Sequence, residues 1–167
     1  MKSIKKGKTK MSKTRPAYAP HTIRTTTWGD ADLTLTETDS GKHVLINTAF
    51  SGTNNRTATL PSCKKGLYFK FVWIVADGTG DAYRAIKSSS TSELIKGTVF
   101  TYDINTADQS NDIVANQLDG SAEDEIRVND DIQIGSFIEL VSDGDHWYTA
   151  DSQIFTTETG ANAVTEN

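Results

Sequence analysis

Short hydrophobic runs, separated by turn-forming residues, fill the chain from about residue 25 onwards. Leu33 and Leu35 alternate with threonines, and the run 67–76 is long, aromatic and β-branched, as in a central buried strand. Asp, Asn, Ser and Gly recur between the runs, at roughly ten-residue intervals typical of sandwiches. The pattern predicts an all-β fold: a single β-sandwich or jelly-roll-like domain.

The hydrophobic runs also predict where the strands lie. We expect eight or nine short strands, centred on residues 33–36, 44–46, 57–60, 67–76, 98–103, 126–128, 132–134, 137–141 and 147–155. The polar and acidic segment 105–120 is predicted to be an excursion over the surface, with a short helix as the alternative. No fixed-period repeat is present, which argues against a solenoid or propeller.

Charge divides the chain into two unequal parts. Residues 1–24 contain eight of the 17 Lys and Arg and no acidic residue, so the other 143 residues combine nine basic with 22 acidic side chains. The first part has no hydrophobic periodicity. We therefore predict an extended basic N-terminal arm at 1–24, a β-sandwich domain at 25–155 and a polar C-terminal tail at 156–167.

Several protein classes are disfavoured by composition. No apolar run approaches the roughly 20 residues that span a bilayer, so we expect no membrane segment. The cationic start MKSIKKGKTK is not followed by the apolar stretch of a secretion signal. Cys63 is the only cysteine, which excludes an intrachain disulfide and a thiolate metal cluster. We expect Cys63 to have a structural role at a strand end rather than to act as a nucleophile.

Particular strand and turn residues resemble a known family. The segments LTLT at 33–36, DSG at 39–41, TLP at 59–61 and GLYFKF at 66–71 look like the small β-domains of tailed-phage head decoration, head-fibre and tail-fibre proteins. The stretch IGSFIELVSDGDHWY at 134–148 is similar to the pattern IGDFVELVSDGTNWYV that ends many such domains. The positions that carry this fold signature are Gly41, Leu60, Pro61, Gly66, Phe69, Phe71, Gly144, Trp147 and Tyr148.

The resemblance spans about residues 31–150 and departs from the family pattern at His146 and in the acidic stretch 103–125. It implies a non-enzymatic virion structural protein, a capsid decoration or cement protein on the capsid surface. The implied partner is the major capsid protein, and the implied assembly is a homotrimer. The matched residues carry no catalytic signature.

The closing stretch also has a physical interpretation of its own. Asp143 and Gly144 can form a tight hairpin turn, which would let Val141 pack near Trp147 and point Tyr148 to the opposite face. We favour core packing for this pair of aromatic residues. Stacking of Trp147 and Tyr148 on a glycan is the alternative.

No residue pattern indicates a catalytic, cofactor or metal site. The aspartates in turns do not fit the spaced calcium loop; they are Asp77, Asp81, Asp103, Asp108, Asp130, Asp131, Asp143 and Asp145. Glu123 and Glu125 have the chemistry of a glycosidase pair, but a solvated acidic face is the commoner arrangement. His21, His43 and His146 lack metal-ligand spacing. We therefore predict no enzyme activity, no cofactor and no bound metal.

The arm is the predicted binding element. Its capsid-binding residues are expected to be Lys5, Lys6, Lys8, Lys10, Lys13, Arg15 and Arg24. Nucleic acid is disfavoured as the partner, because Tyr18 is the arm's only aromatic residue and the acidic body would repel a polyanion. The alternative without a binding function is that the arm is a solubilising tail. The competing functions are a fibre module that binds host surface glycans and, third, a polysaccharide depolymerase.

Overall fold

The structure is a computed structural model that describes residues 23–49, 54–77, 82–104, 113–129, 131–157 and 164–166. These residues contain one short 3-10 helix, Glu37–Asp39, and twelve strands. The strands are β1 (Thr25–Trp28), β2 (Leu33–Thr34), β3 (His43–Ile46), β4 (Arg56–Thr59), β5 (Tyr68–Trp73), β6 (Arg84–Lys87), β7 (Ile95–Asp103), β8 (Ile113–Leu118), β9 (Glu125–Val128), β10 (Phe137–Ser142), β11 (Trp147–Thr156) and β12 (Val164–Glu166). The predicted all-β fold is confirmed.

Two mixed sheets pack against each other as a β-sandwich. The first has seven strands in the order β1-β3-β5-β10-β11-β7-β8, and the second has five in the order β12-β9-β6-β4-β2. Residues in β5 and β10 alternate between buried and half-buried along each strand, because successive side chains point to opposite faces. The buried face of each sheet supplies one continuous hydrophobic core between them.

The first half of the domain winds as three coils. Each coil places one strand in each sheet, and strands of successive coils pair in parallel. Thr25 pairs with His43 and His43 with Lys70, so the coils differ in length by several residues. Unequal coils leave no fixed sequence period. We expected the lack of a repeat to argue against a solenoid. Winding with unequal coils is nevertheless compatible with that lack.

The second half closes the sandwich with antiparallel strands. β10 pairs with β5 on one side and with β11 on the other, which places this hairpin in the middle of the seven-stranded sheet. β11 then lies parallel to β7, and β8 pairs with β7 at the sheet edge. β9 adds to the five-stranded sheet beside β6.

The predictions for 105–120 and for 132–134 are wrong, and β1 and β6 were not among the predicted strands. The part of 105–120 that the structure describes contains β8 in place of a surface excursion or helix, and its pattern was weak because only Leu118 in this edge strand is buried. Residues 132–134 do not form a strand. Ile132 makes one isolated bridge to Thr156, and Ile134 is 65% exposed in the turn before β10.

The predicted C-terminal tail begins too early. β11 extends to Thr156, and β12 pairs with β9 beyond it. Val164 is buried and belongs to the core cluster. A three-residue strand gives too short a pattern to be recognised in sequence.

All three tryptophans are buried in the core. Trp28 meets Phe71 edge-on with ring centroids 6.1 Å apart, and Trp147 lies 5.8 Å from Phe69. Edge-to-face and tilted pairs of this kind stabilise beyond their buried area. Because Phe69 and Phe71 both lie on β5, that strand is the centre of the aromatic core.

A buried arginine connects the three coils. Arg84, 1% exposed on β6, donates hydrogen bonds to the carbonyl oxygens of Gly29 (3.2 Å) and Thr48, which follow β1 and β3. Its Nε lies 3.8 Å from Oδ2 of Asp77, which follows β5. Burial lowers the pKa of Arg84, while the Asp77 carboxylate opposes that shift.

The same cluster includes two tryptophans. Trp73 Nε1 donates to Oδ2 of Asp77 at 2.9 Å, and the Arg84 guanidinium lies over the Trp28 ring at 5.1 Å from its centroid. The guanidinium therefore contacts the chain just after each of the three parallel strands of the first sheet. A lysine has its three donors on one nitrogen, whereas the guanidinium spreads five donors over three nitrogens and so fits acceptors from three coils better.

We predict that Arg84→Met lowers the free energy of unfolding by about 3–5 kcal/mol, since it leaves a buried carboxylate and two buried carbonyls without their cation. Arg56→Met is the matched control. Its ion pair with Asp30 involves a carboxylate that is 66% exposed, so the loss should be below about 1 kcal/mol. Urea unfolding followed by tryptophan fluorescence measures both. Equal losses in the two variants would contradict the role of Arg84.

Candidate interaction surface

The place where the basic arm leaves the domain is visible at Arg24. Its carbonyl oxygen accepts a hydrogen bond from the His43 amide at 2.9 Å, and its guanidinium donates to the carbonyl of Ser40, also at 2.9 Å. Arg24 is thus held by the domain. The other predicted arm residues, from Lys5 to Arg15, lie outside the described residues. The arm ends at Arg24, directly before β1, which is an edge strand of the seven-stranded sheet.

A row of charged residues crosses the outer face of that sheet. The strand registers place His43, Lys70, Glu139 and Asp151 side by side on four neighbouring strands. Lys70 Nζ lies 2.6 Å from Glu139 Oε1 and 4.1 Å from the centroid of the Phe137 ring. Such cross-strand pairs stabilise a sheet.

Glu139, one of the two acidic residues in this row, is held in its charged form. Burial would raise the pKa of Glu139, but hydrogen bonds from Lys70 and Tyr68 outweigh it and lower the pKa. Burial and the same carboxylate raise the pKa of Tyr68 to about 12. These groups satisfy one another, so we interpret the row as structural.

The first signature turn, at residues 39–41, is rigid. Gly41 has a φ of +79°, which favours glycine, and its amide donates to the carbonyl of Tyr68 at 2.8 Å. Asp39 accepts hydrogen bonds from the Thr36 amide at 2.8 Å and from Lys42 at 2.6 Å. Those bonds lower the pKa of Asp39 to about 2.

The second signature turn differs from its prediction. Ser142 pairs with Trp147, so the loop has four residues, 143–146, in place of a tight turn. Asp143 accepts bonds from the amides of His146 (2.8 Å) and Asp145 (2.9 Å), which lower its pKa to about 2. Val141 lies opposite Tyr148, and its predicted packing with Trp147 is wrong.

The signature residues lie mainly in the core and in turns. Leu60, Phe69, Phe71 and Trp147 are at most 1% exposed, with the half-buried Pro61 directly after Leu60. The amide of Gly66 donates to the carbonyl of Ser142 at 2.8 Å, which ties its turn to the central hairpin. Gly144 lies at the tip of that hairpin, with a φ of +112°. These residues build the fold and are not gathered into a cleft.

One of the two aromatic residues that were considered for stacking on a glycan is not accessible. Trp147 is fully buried, which confirms the core-packing interpretation for this residue. Tyr148 is half-buried on the outer face, and a hydrogen bond with Asp143 raises the pKa of its hydroxyl. Of the two residues, only Tyr148 is partly exposed.

Both candidate carboxylates are buried and accept hydrogen bonds, and Glu125 is also paired with cations. Glu125 is 5% exposed and lies 3.4 Å from Lys87 Nζ and within hydrogen-bonding distance of Arg127 Nε. Glu123 is also buried, at 8% exposure, and accepts a hydrogen bond from the Ala122 amide. We therefore interpret both residues as structural.

The described part of the chain contains no group of side chains arranged for metal binding or thiol chemistry. No group of three or more His, Cys, Asp or Glu side chains is placed there to hold a metal ion. Asp81, Asp108, Asp130 and His21 lie outside it. Cys63 is half-buried against the core, and burial raises the pKa of its thiol. No helix among the described residues is long and apolar enough to cross a membrane.

We predict that the Asp39→Asn variant is less stable than wild type at neutral pH and equally stable near pH 2. A carboxylate whose pKa is about 2 in the folded chain and 3.8 when unperturbed stabilises the fold above pH 3.8. That advantage is lost as pH falls towards 2. Thermal unfolding between pH 2 and 7 measures the difference, with Glu37→Gln as the control for removing a neighbouring carboxylate. A difference that does not change with pH would refute the assignment.

No protein-family model, curated protein or solved structure matches the chain. The similarity to phage β-domains therefore stays an expectation that rests on the sequence pattern.

Proposed function

We propose that this chain is a capsid decoration protein that binds the outer surface of a phage head and stabilises it. The observation that supports this proposal most strongly is the division of charge between a basic arm and an acidic domain. The proposed partner is the major capsid protein, and the proposed assembly is a homotrimer on the virion surface. No cofactor or catalytic step belongs to this function.

The domain offers little free positive charge of its own. Of its nine Lys and Arg residues, all within the described part of the chain, at least seven lie within 4.0 Å of a carboxylate. These residues are Lys42, Arg56, Lys64, Lys70, Arg84, Lys87 and Arg127. The domain therefore leaves few cations of its own for a partner, which supports a role of the basic arm in binding an acidic surface.

The two longest segments that resemble phage β-domains lie on neighbouring strands, whereas 33–36 and 59–61 lie at β2 and β4 of the other sheet. The stretch 66–71 lies mostly in β5, and 134–148 includes β10 and the start of β11. These three strands are neighbours in the seven-stranded sheet. Sequence likeness concentrated in contiguous strands supports a shared domain type more strongly than the same number of scattered residues would.

The second candidate is a fibre module that binds host glycans through the domain. The half-buried Tyr148 is the observation that favours it, although Trp147 is unavailable for stacking. The number of copies per particle discriminates between the two. Hundreds of copies by quantitative mass spectrometry would support decoration, whereas a handful would support a fibre.

We predict that Lys5→Gln/Lys6→Gln weakens binding to undecorated heads more than Lys64→Gln/Lys65→Gln. Both variants remove two adjacent lysines, but Lys64 already pairs with Glu37 at 2.6 Å. Salt should weaken wild-type attachment, because the screening length falls from about 10 Å at 0.1 M to about 3 Å at 1 M. Co-sedimentation with undecorated heads across a salt series measures both effects.

Unfolding midpoints of the two variants should stay close to wild type, which separates attachment from folding. If the arm variant decorates heads at wild-type occupancy in moderate salt, the arm is a passive tail. The binding surface would then lie on the domain.

A further inference from the structure

Arg24 is the only basic residue of the predicted arm in the part of the chain that the structure describes. It lies directly before β1, an edge strand that pairs only with β3 among the described strands. Both its backbone and its side chain are bonded to the domain. Its carbonyl oxygen accepts a hydrogen bond from the His43 amide and its guanidinium donates to the Ser40 carbonyl, each at 2.9 Å. Arg24 is therefore attached to β3 and to the turn that precedes β3.

The carbonyl that Arg24 binds has a fixed position. Ser40 lies in the turn 39–41, and its Oγ accepts a hydrogen bond from the Tyr68 amide at 3.1 Å. The Gly41 amide donates to the Tyr68 carbonyl at 2.8 Å, so two hydrogen bonds tie this turn to the start of β5. Binding to an acceptor that is already rigid costs less entropy than binding to a mobile one.

These bonds connect the first residue before the edge strand to two neighbouring strands. Backbone pairing ties β1 to β3, and the side chain of Arg24 reaches the turn that is tied to β5. Chain segments that emerge from a domain are poorly ordered unless they are tied down. Arg24 therefore fixes the point at which the arm joins the sandwich, which we call the root of the arm.

Arg24 is also separate in sequence from the other cations of the arm. The other seven basic residues lie between positions 2 and 15, and residues 16–23 contain no Lys, Arg, Asp or Glu. A cation within that group would add to the field of its neighbours, whereas Arg24 lies alone beside the domain. Its guanidinium carries five donors in a planar fork, a geometry that suits a carbonyl at a fixed position.

We infer that Arg24 is a positioning residue, which holds the root of the arm on the turn 39–41, rather than a contact with the capsid. This role rests on the proposed function, in which the arm binds an acidic surface of the head. The seven cations at positions 2–15 then act from a fixed point of the domain. A root that folding has already ordered has less freedom to lose when the arm binds. Arg24 therefore strengthens attachment without meeting the acidic surface itself.

Two variants of the full chain release the root by different routes. Arg24→Gln removes the guanidinium and one positive charge. Gly41→Ala leaves every charge in place and strains the turn, because Gly41 has a φ of +79° that alanine adopts poorly. The nearest atom to the added methyl group is Nη2 of Arg24, at 3.9 Å.

Gly66→Ala is the matched control for strain in a turn. Gly66 has a φ of +86°, its amide donates to the Ser142 carbonyl at 2.8 Å, and no atom lies within 4 Å of an added methyl group. Its turn lies directly before β5, whereas Arg24 is bonded to the turn before β3. The two alanine variants should therefore lose similar thermal stability, and only Gly41→Ala should alter the root.

Hydrogen exchange of the His43 amide, which bonds to the Arg24 carbonyl, reports order at the root. Exchange should be faster in Arg24→Gln and Gly41→Ala than in wild type and Gly66→Ala. Co-sedimentation with undecorated heads across a salt series should show binding roughly three- to tenfold weaker in the same two variants. The salt dependence of their binding should match that of wild type, because the cations that meet the acidic surface remain.

Two outcomes would overturn the inference. Wild-type binding by Gly41→Ala, with Arg24→Gln weaker and less sensitive to salt, would make Arg24 a direct contact. Wild-type binding by both variants would leave the root without a role in attachment, while weak binding by Lys5→Gln/Lys6→Gln would keep the proposed function intact. Full binding by Lys5→Gln/Lys6→Gln would instead contradict the proposed function.

Discussion

The winding of the first three coils depends on the buried guanidinium of Arg84. Parallel strands in both sheets require the chain to cross between the sheets after β1, β3 and β5, and such connections leave carbonyl groups without ladder partners. Arg84 serves Gly29, Thr48 and Asp77, one from each crossing. A cation in the core is costly to desolvate, and the cost is offset only because these acceptors converge on it. The crossings and the core are therefore specified together.

Local sequence patterns predict the strands whose alternation is strong. β5 and β10 alternate cleanly because one face of each meets the aromatic core, and both were predicted within a few residues. β8 and β12 escaped prediction since an edge strand buries few side chains. The parallel pairing of the coils is equally hidden, because pairing is a long-range property and the unequal connections leave no period in the sequence.

The contacts of Arg84 and the roles of the residues at the candidate surface were less predictable than the strands. The contacts of Arg84 are mostly with backbone carbonyls far away in sequence, and no residue pattern reports such acceptors. The signature residues were recognisable, but their roles depended on register. The register places Val141 opposite Tyr148 in place of the expected Trp147, whereas Trp147 faces the core as expected.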